Sequence, residues 1–165
     1  MDTFSWTLVC SLLMLVLLAN AAPVLAQLAF GQHLAWRIDG GRCLADGRPL
    51  LGAAKTYRGI AAALVLTAPA AEWFGLGWRL GLIIALAAMA GDLLSSFIKR
   101  RLGKPVHAGS VLLDGIPEVL LPVLALAAPL SLTWLEGVAV VVGFVTLHAA
   151  LEPLAVWYRR RPRRA

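Results

Sequence analysis

Along this chain, uncharged stretches about as long as a bilayer is thick alternate with short segments where Lys and Arg gather. From Thr3 to Trp36 there is no Asp, Glu, Lys or Arg, and roughly 20 apolar residues are what an α-helix needs to cross the hydrocarbon core. On that ruler spans fall at 4–29, 59–78, 80–98, 117–135 and 137–158, with loops at 31–58 and 99–116 and a basic tail at 159–165. The second span is the shortest in apolar content, because its charge-free core ends near Ala71 and holds Pro69.

The cations decide whether that span exists. Arg37, Arg42, Arg48, Lys55 and Arg58 precede it, Lys99, Arg100, Arg101 and Lys104 follow the third span, and Arg159, Arg160, Arg161, Arg163 and Arg164 follow the last. With five spans all three basic segments share one face, which the positive-inside rule makes cytoplasmic; without span two the first basic loop would lie opposite the others. The expected fold is therefore an all-α integral membrane protein, one polytopic domain of about five transmembrane helices. Its N-terminus is outside and its C-terminus cytoplasmic. Trp6, Trp73, Trp78, Trp134 and Trp157 fall near span ends, as an aromatic belt requires.

Val24, Leu25 and Ala26 resemble a signal cleavage site, but Asp2 is the sole charge before the apolar run and a positive n-region is missing. A retained first span is expected.

Composition agrees. Of 165 residues, 60% are hydrophobic and 15% charged, with mean hydropathy +0.80; a soluble domain would carry about 25% charged residues. Disorder, a collagen repeat and a disulfide scaffold are excluded. The net charge of +6 and pI near 10.2 report topology and not nucleic-acid binding, since the cations sit where spans end. Cys10 lies in an apolar run and Cys43 in a polar loop, so no disulfide is expected.

Ionisable groups at membrane depth are costly and mark function. Asp92 is the most informative: Ser95 or Ser96 at i+3/i+4 and Lys99 at i+7 put a carboxylate, a hydroxyl and an ammonium on one helical stripe. Asp114 and Glu118, four apart, place two carboxylates at the mouth of the fourth span, with Asp114 as a cap that makes Pro117 tolerable. Lys55, Thr56 and Arg58 enter the second span from a Gly- and Arg-rich loop; the spacing is not a Walker A. Carboxylates and cations on one membrane face suit a Mg²⁺-dependent phosphate reaction whose lipid substrate keeps its tails in the bilayer. HExxH, zinc spacings and GxSxG are absent, and His33, His107 and His148 are scattered.

Three segments carry a resemblance. DGGRCLADGRPLLGAAKTYRG (Asp39 to Gly59), AGDLLSSFIKRRLG (Ala90 to Gly103) and LLDGIPE (Leu112 to Glu118) are similar to motifs of the CDP-archaeol synthases, relatives of bacterial CDP-diacylglycerol synthases. The resemblance implies a multi-pass enzyme that uses CTP and Mg²⁺ to convert a lipid phosphate into a CDP-lipid, releasing pyrophosphate. It implies Asp92, Asp114 and Glu118 as metal ligands, with Lys99, Asp92 and Asp114 at the catalytic centre. Lys55, Arg58, Lys99 and Arg100 would contact phosphate, and Thr56 and Ser96 would support substrate. The wider relatives' KD pair and PGHGG segment are replaced here by GKPVHAGS.

The expected partners are CTP, a lipid phosphate and membrane lipids, with no nucleic acid. The lipid is an archaeal-type prenyl ether phosphate or phosphatidic acid. The small residues Ala85, Ala87, Ala88 and Gly91 would allow a homodimer. The expected place is the plasma membrane, with the active site facing the cytoplasm. The rivals are a CTP-dependent lipid-alcohol kinase, which would release CDP, and a small transporter or channel subunit with Asp92 in an ion path.

Overall fold

The computed structural model describes residues 4–104 and 111–160, with 111–112 and 152–160 described by backbone alone. His107 and the tail residues Arg161, Arg163 and Arg164 lie outside the described residues. The chain forms α1 (Trp6–Phe30), α2 (Tyr57–Trp73), α3 (Trp78–Arg101), α4 (Val111–Ala127) and α5 (Trp134–Arg160). Among the described residues there is no strand, only isolated bridges pairing Arg37 with Thr56 and Cys43 with Pro49.

By length and apolar composition, α1, α3 and the Trp134–Leu151 part of α5 are long enough to cross a membrane. α2 and α4 have 17 residues each, about 25 Å of helix. The boundaries differ from the sequence ruler most at α4. It begins at Val111 and ends at Ala127, so Asp114 lies inside the first turn instead of capping, and Pro117 lies within the helix. The missing Pro117 amide removes one donor, for the Leu113 carbonyl.

Helix association in lipid rests on close packing, since lipid tails are as apolar as Leu. α1 supplies the common surface: Val9, Leu12, Val16, Ala19, Ala22 and Ala26 recur every three or four residues and are buried, and α1 touches all four other helices. Leu12, Leu15 and Val16 meet Ile84 of α3, Val119 and Leu126 of α4, and Val140 and Phe144 of α5 in one core. Small residues bring α3 against its neighbours. A Cβ on Gly81 would lie 2.7 Å from the Ala68 Cα, and one on Gly91 would lie 2.2 Å from the Pro117 oxygen. Ala85, Ala88 and Gly91 are buried in the chain's own packing, and Ala87 is half-buried.

The two ends of the bundle differ in chemistry. At one, Trp6, Trp73, Trp78 and Trp134 begin or end α1, α2, α3 and α5 and are all exposed. There Glu136 accepts from the Ser5 amide at 2.8 Å and the Thr133 amide at 2.9 Å, joining the starts of α1 and α5. The other end gathers the loop before α2, the basic last turn of α3 and the start of α4. Cys10 and Cys43 are exposed and unbonded.

Candidate active site

The loop between α1 and α2 folds around Asp39. Its carboxylate accepts from the amides of Gly41 at 2.9 Å, Leu51 at 3.1 Å and Gly52 at 2.9 Å. Burial raises the Asp39 carboxyl, but the amides of Gly52, Gly41 and Leu51, with the Arg37 charge, outweigh this and hold it below the usual carboxylate value. Gly41 and Gly52 take positive φ, 77° and 100°, which lets these turns close. From this knot the chain runs to Lys55, whose amide donates to the Gly52 oxygen and whose carbonyl accepts from the Ile38 amide.

Lys55 then reaches α3. Its ammonium bridges both Asp92 oxygens at 2.5 and 2.6 Å, with each side chain about four-fifths buried. Seven residues further along α3, the Lys99 ammonium lies 2.6 Å from the Asp114 carboxylate of α4. The stripe predicted on α3 is present, but Asp92 and Lys99 do not pair with each other: each takes an opposite charge from a different neighbouring element. Glu118, buried on α4 one turn after Asp114, faces Asp92 and stands in the field of Lys55 and Asp114. The reason is the Gly91 crossing, which puts α3 against the Pro117–Glu118 backbone.

The remaining candidates divide. Ser96 and Arg100 are buried on α3, and the Ser95 hydroxyl donates back to the Asp92 carbonyl at 2.9 Å. The Thr56 hydroxyl caps α2 by accepting from the Gly59 amide at 3.2 Å. Arg58 donates to the carbonyls of Gly31 and His33, holding the end of α1. His148 stacks on Phe144, and its ring lies against Gly115 of α4, the residue after Asp114. A narrow crevice of only about 20 Å³ lies between α1, the loop, α2 and α3, bounded by Pro23, Ile38, Lys55, Thr56, Gly59 and Asp92. A wider open depression lies at the tryptophan end, between Pro69, Trp73 and Trp78.

Acids and ammonium groups thus gather at one end of an apolar bundle, the charge pattern that phosphate chemistry at a membrane surface uses. A CarS-like family model, described as CDP-archaeol synthase, matches residues 74–159. A CDP-archaeol synthase of Aeropyrum pernix is 37% identical over 78% of this chain and 74% of its own length. The chain belongs to the CDP-archaeol synthase family. A relative of the same name from Hyperthermus butylicus is 39% identical, over 59% of this chain and 59% of its own length, so that match spans less than two thirds of the relative. A solved structure of an intramembrane enzyme for archaeal membrane lipids biosynthesis is 34% identical, with TM-score 0.69, covering 86% of this chain and 90% of that one. The enzyme is thus a multi-pass membrane nucleotidyltransferase, a CTP:lipid-phosphate cytidylyltransferase; the kinase and transporter readings fall away.

Sequence reasoning missed Asp39, Asp46, Arg48 and Arg101. Arg101 donates to Asp46 at 2.7 Å and to the carbonyls of Arg48 and Pro49, while Arg48 donates to the Arg101 carbonyl at 2.6 Å. The Asp-Gly pairs at Asp39–Gly40 and Asp46–Gly47 are turn signals that would have pointed to both knots.

Proposed function

We propose that this end of the bundle joins CTP to an archaeal-type prenyl ether glyceryl phosphate. The observation that carries the reading is the paired Lys55–Asp92 and Lys99–Asp114 contacts, which bring three chain segments to one place around two cations and three carboxylates. A lipid phosphate oxygen attacks the α-phosphorus of CTP, the new P–O bond forms, and the bond to the β-phosphate oxygen breaks, releasing pyrophosphate. The phosphate dianion is already a nucleophile, so no general base is needed. Lys55 and Lys99 neutralise charge that grows on the leaving group. Asp92 and Asp114 hold both ammonium groups in place before substrate arrives. Ser96 and Arg100 line the α3 wall of the site, and Thr56 and Arg58 fix the helix ends from which Lys55 projects.

Mg²⁺ suits this donor set in part. Among the described residues no three of His, Cys, Asp and Glu stand together as a complete metal site, but Mg²⁺ takes one or two carboxylates and completes its shell with water and substrate phosphate. Asp92 and Glu118, two carboxyl groups face to face beside a buried helix crossing, would hold it, with Asp114 next to them. When bound, it supplies charge neutralisation on the triphosphate.

The relatives' name and the archaeal lipid enzyme among solved structures favour the prenyl ether phosphate over phosphatidic acid. The positive-inside rule supports placing the basic end in the cytoplasm, the N-terminus outside, and the protein in the plasma membrane, with α2 and α4 completing five crossings. The test is purified enzyme in detergent with labelled CTP, Mg²⁺ and a panel of lipid phosphates. Label in the organic phase with one pyrophosphate per lipid is expected; no labelled lipid from any phosphate contradicts the reading.

A further inference from the structure

Two sets of polar contacts among the described residues fasten the loop that delivers Lys55 to α3. The inner one is the Lys55–Asp92 pair. The outer one lies nine residues further along the same helix, about 13 Å of rise, where Arg101 donates to the Asp46 carboxylate at 2.7 Å and to the carbonyls of Pro49 at 2.7 Å and Arg48 at 3.3 Å. Arg48 returns a bond to the Arg101 carbonyl at 2.6 Å, and its guanidinium lies against Gly103. Because α3 carries both attachment points, the distance between them is set by one rigid helix.

Between the two points the loop is internally tied. The Leu44 amide donates to the Arg48 carbonyl and the Leu50 amide to the Arg42 carbonyl. Asp39 holds Leu51 and Gly52, and Gly52 holds the Lys55 amide. A displacement at Arg101 therefore reaches Lys55 through continuous hydrogen bonds. In the proposed reaction the inner fastening loosens, because the Lys55 ammonium that holds both Asp92 oxygens is the group that turns toward phosphate. While it does so, the Arg101 clasp still ties the loop to α3.

We infer that Arg101 is a positioning residue for nucleotide binding: clasped to Asp46, Arg48 and Pro49, it keeps the 37–56 loop seated while Lys55 exchanges Asp92 for the phosphates of CTP. This inference rests on the cytidylyl-transfer reading and adds a residue that does not touch the reacting atoms. The clasp is partly exposed, so its Asp46 arm weakens as salt rises, whereas its bonds to carbonyls persist.

The experiment is a CTP titration at saturating lipid phosphate with the full-length enzyme in detergent, for wild type, Arg101→Ala, Arg101→Lys and Asp46→Asn, each with its melting temperature. Arg101→Ala is expected to raise KM for CTP about tenfold with kcat within about twofold of wild type, the signature of lost nucleotide binding without lost chemistry. Arg101→Lys, which keeps the ion pair but loses the planar fork, recovers part of the affinity, and Asp46→Asn falls between. Chymotryptic cleavage within 37–56 accelerates in Arg101→Ala and is suppressed again by CTP. An unchanged KM in Arg101→Ala, or a fall in kcat and melting temperature together without a change in KM, overturns the inference. The two readings fail differently: wild-type enzyme that turns over no CTP defeats cytidylyl transfer and this inference with it, whereas normal wild-type turnover with an unaltered variant defeats the clasp alone.

Discussion

Gly91 and Pro117 are in backbone contact. A Cβ added to Gly91 would stand 2.2 Å from the Pro117 oxygen and 2.8 Å from the Glu118 Cα, so α3 and α4 meet where only hydrogen fits between them. That approach brings Asp92 to Glu118, and with it the whole acidic side of the site. Gly91→Ala must push the helices apart; overpacking of this kind costs about 1–3 kcal/mol. A lower melting temperature in detergent is expected, together with a fall in kcat/KM of about 10²-fold, as misplacement of catalytic groups by an ångström produces. Gly115→Ala is the control on α4: a Cβ there meets nothing closer than 3.6 Å, and activity is expected to be retained.

Lys99 and Asp114 pair α3 with α4, with side chains only 11% and 15% exposed. Removing one partner leaves the other charged and poorly hydrated. Lys99→Met and Asp114→Asn should therefore each lower the melting temperature, and the double variant should lower it by less than the sum. The expected coupling is about 1 kcal/mol or more. Additive losses would show that the pair does not tie α3 to α4.

The Asp39 knot makes the loop acid-sensitive in a defined direction. Its carboxyl is held below the ordinary value by three amides and Arg37, against the opposing effect of burial. A folded-state value below the unfolded one contributes stability that is fully present above the unfolded pKa, about 3.9, and is lost as pH falls through the folded value. Resistance of 37–56 to an acid-tolerant protease should be flat from neutral pH down to about pH 5 and decline below about pH 4. Asp39→Asn should show low resistance at every pH. Equal resistance in both proteins would contradict the role of this carboxylate.

The helices were legible because the bilayer imposes a length scale that apolar runs display directly. Asp92, Lys99, Asp114 and Glu118 were legible as a group because charge at membrane depth is costly. Their partners were not. Helical periodicity puts Asp92 and Lys99 on one stripe, but whether a stripe pairs with itself or with its neighbours depends on tertiary approach, here set by Gly91 and the Asp39 loop. Arg58 shows the same limit: its contacts with the carbonyls of Gly31 and His33 join α2 to the end of α1, a long-range approach that local spacing does not display. The α4 start was misplaced because Pro117 reads as a first-turn residue, whereas its lost hydrogen bond is accommodated within the helix.

The most direct measurement follows transfer of α-phosphate label from CTP to a prenyl ether glyceryl phosphate by wild type and Asp92→Asn at matched folding. Asn keeps the shape of Asp92 but neither holds the Lys55 ammonium by charge nor offers a carboxylate to a cation. A loss of about 10³-fold or more in kcat is predicted, as removal of a group central to charge stabilisation produces. Transfer by Asp92→Asn within tenfold of wild type would contradict the account.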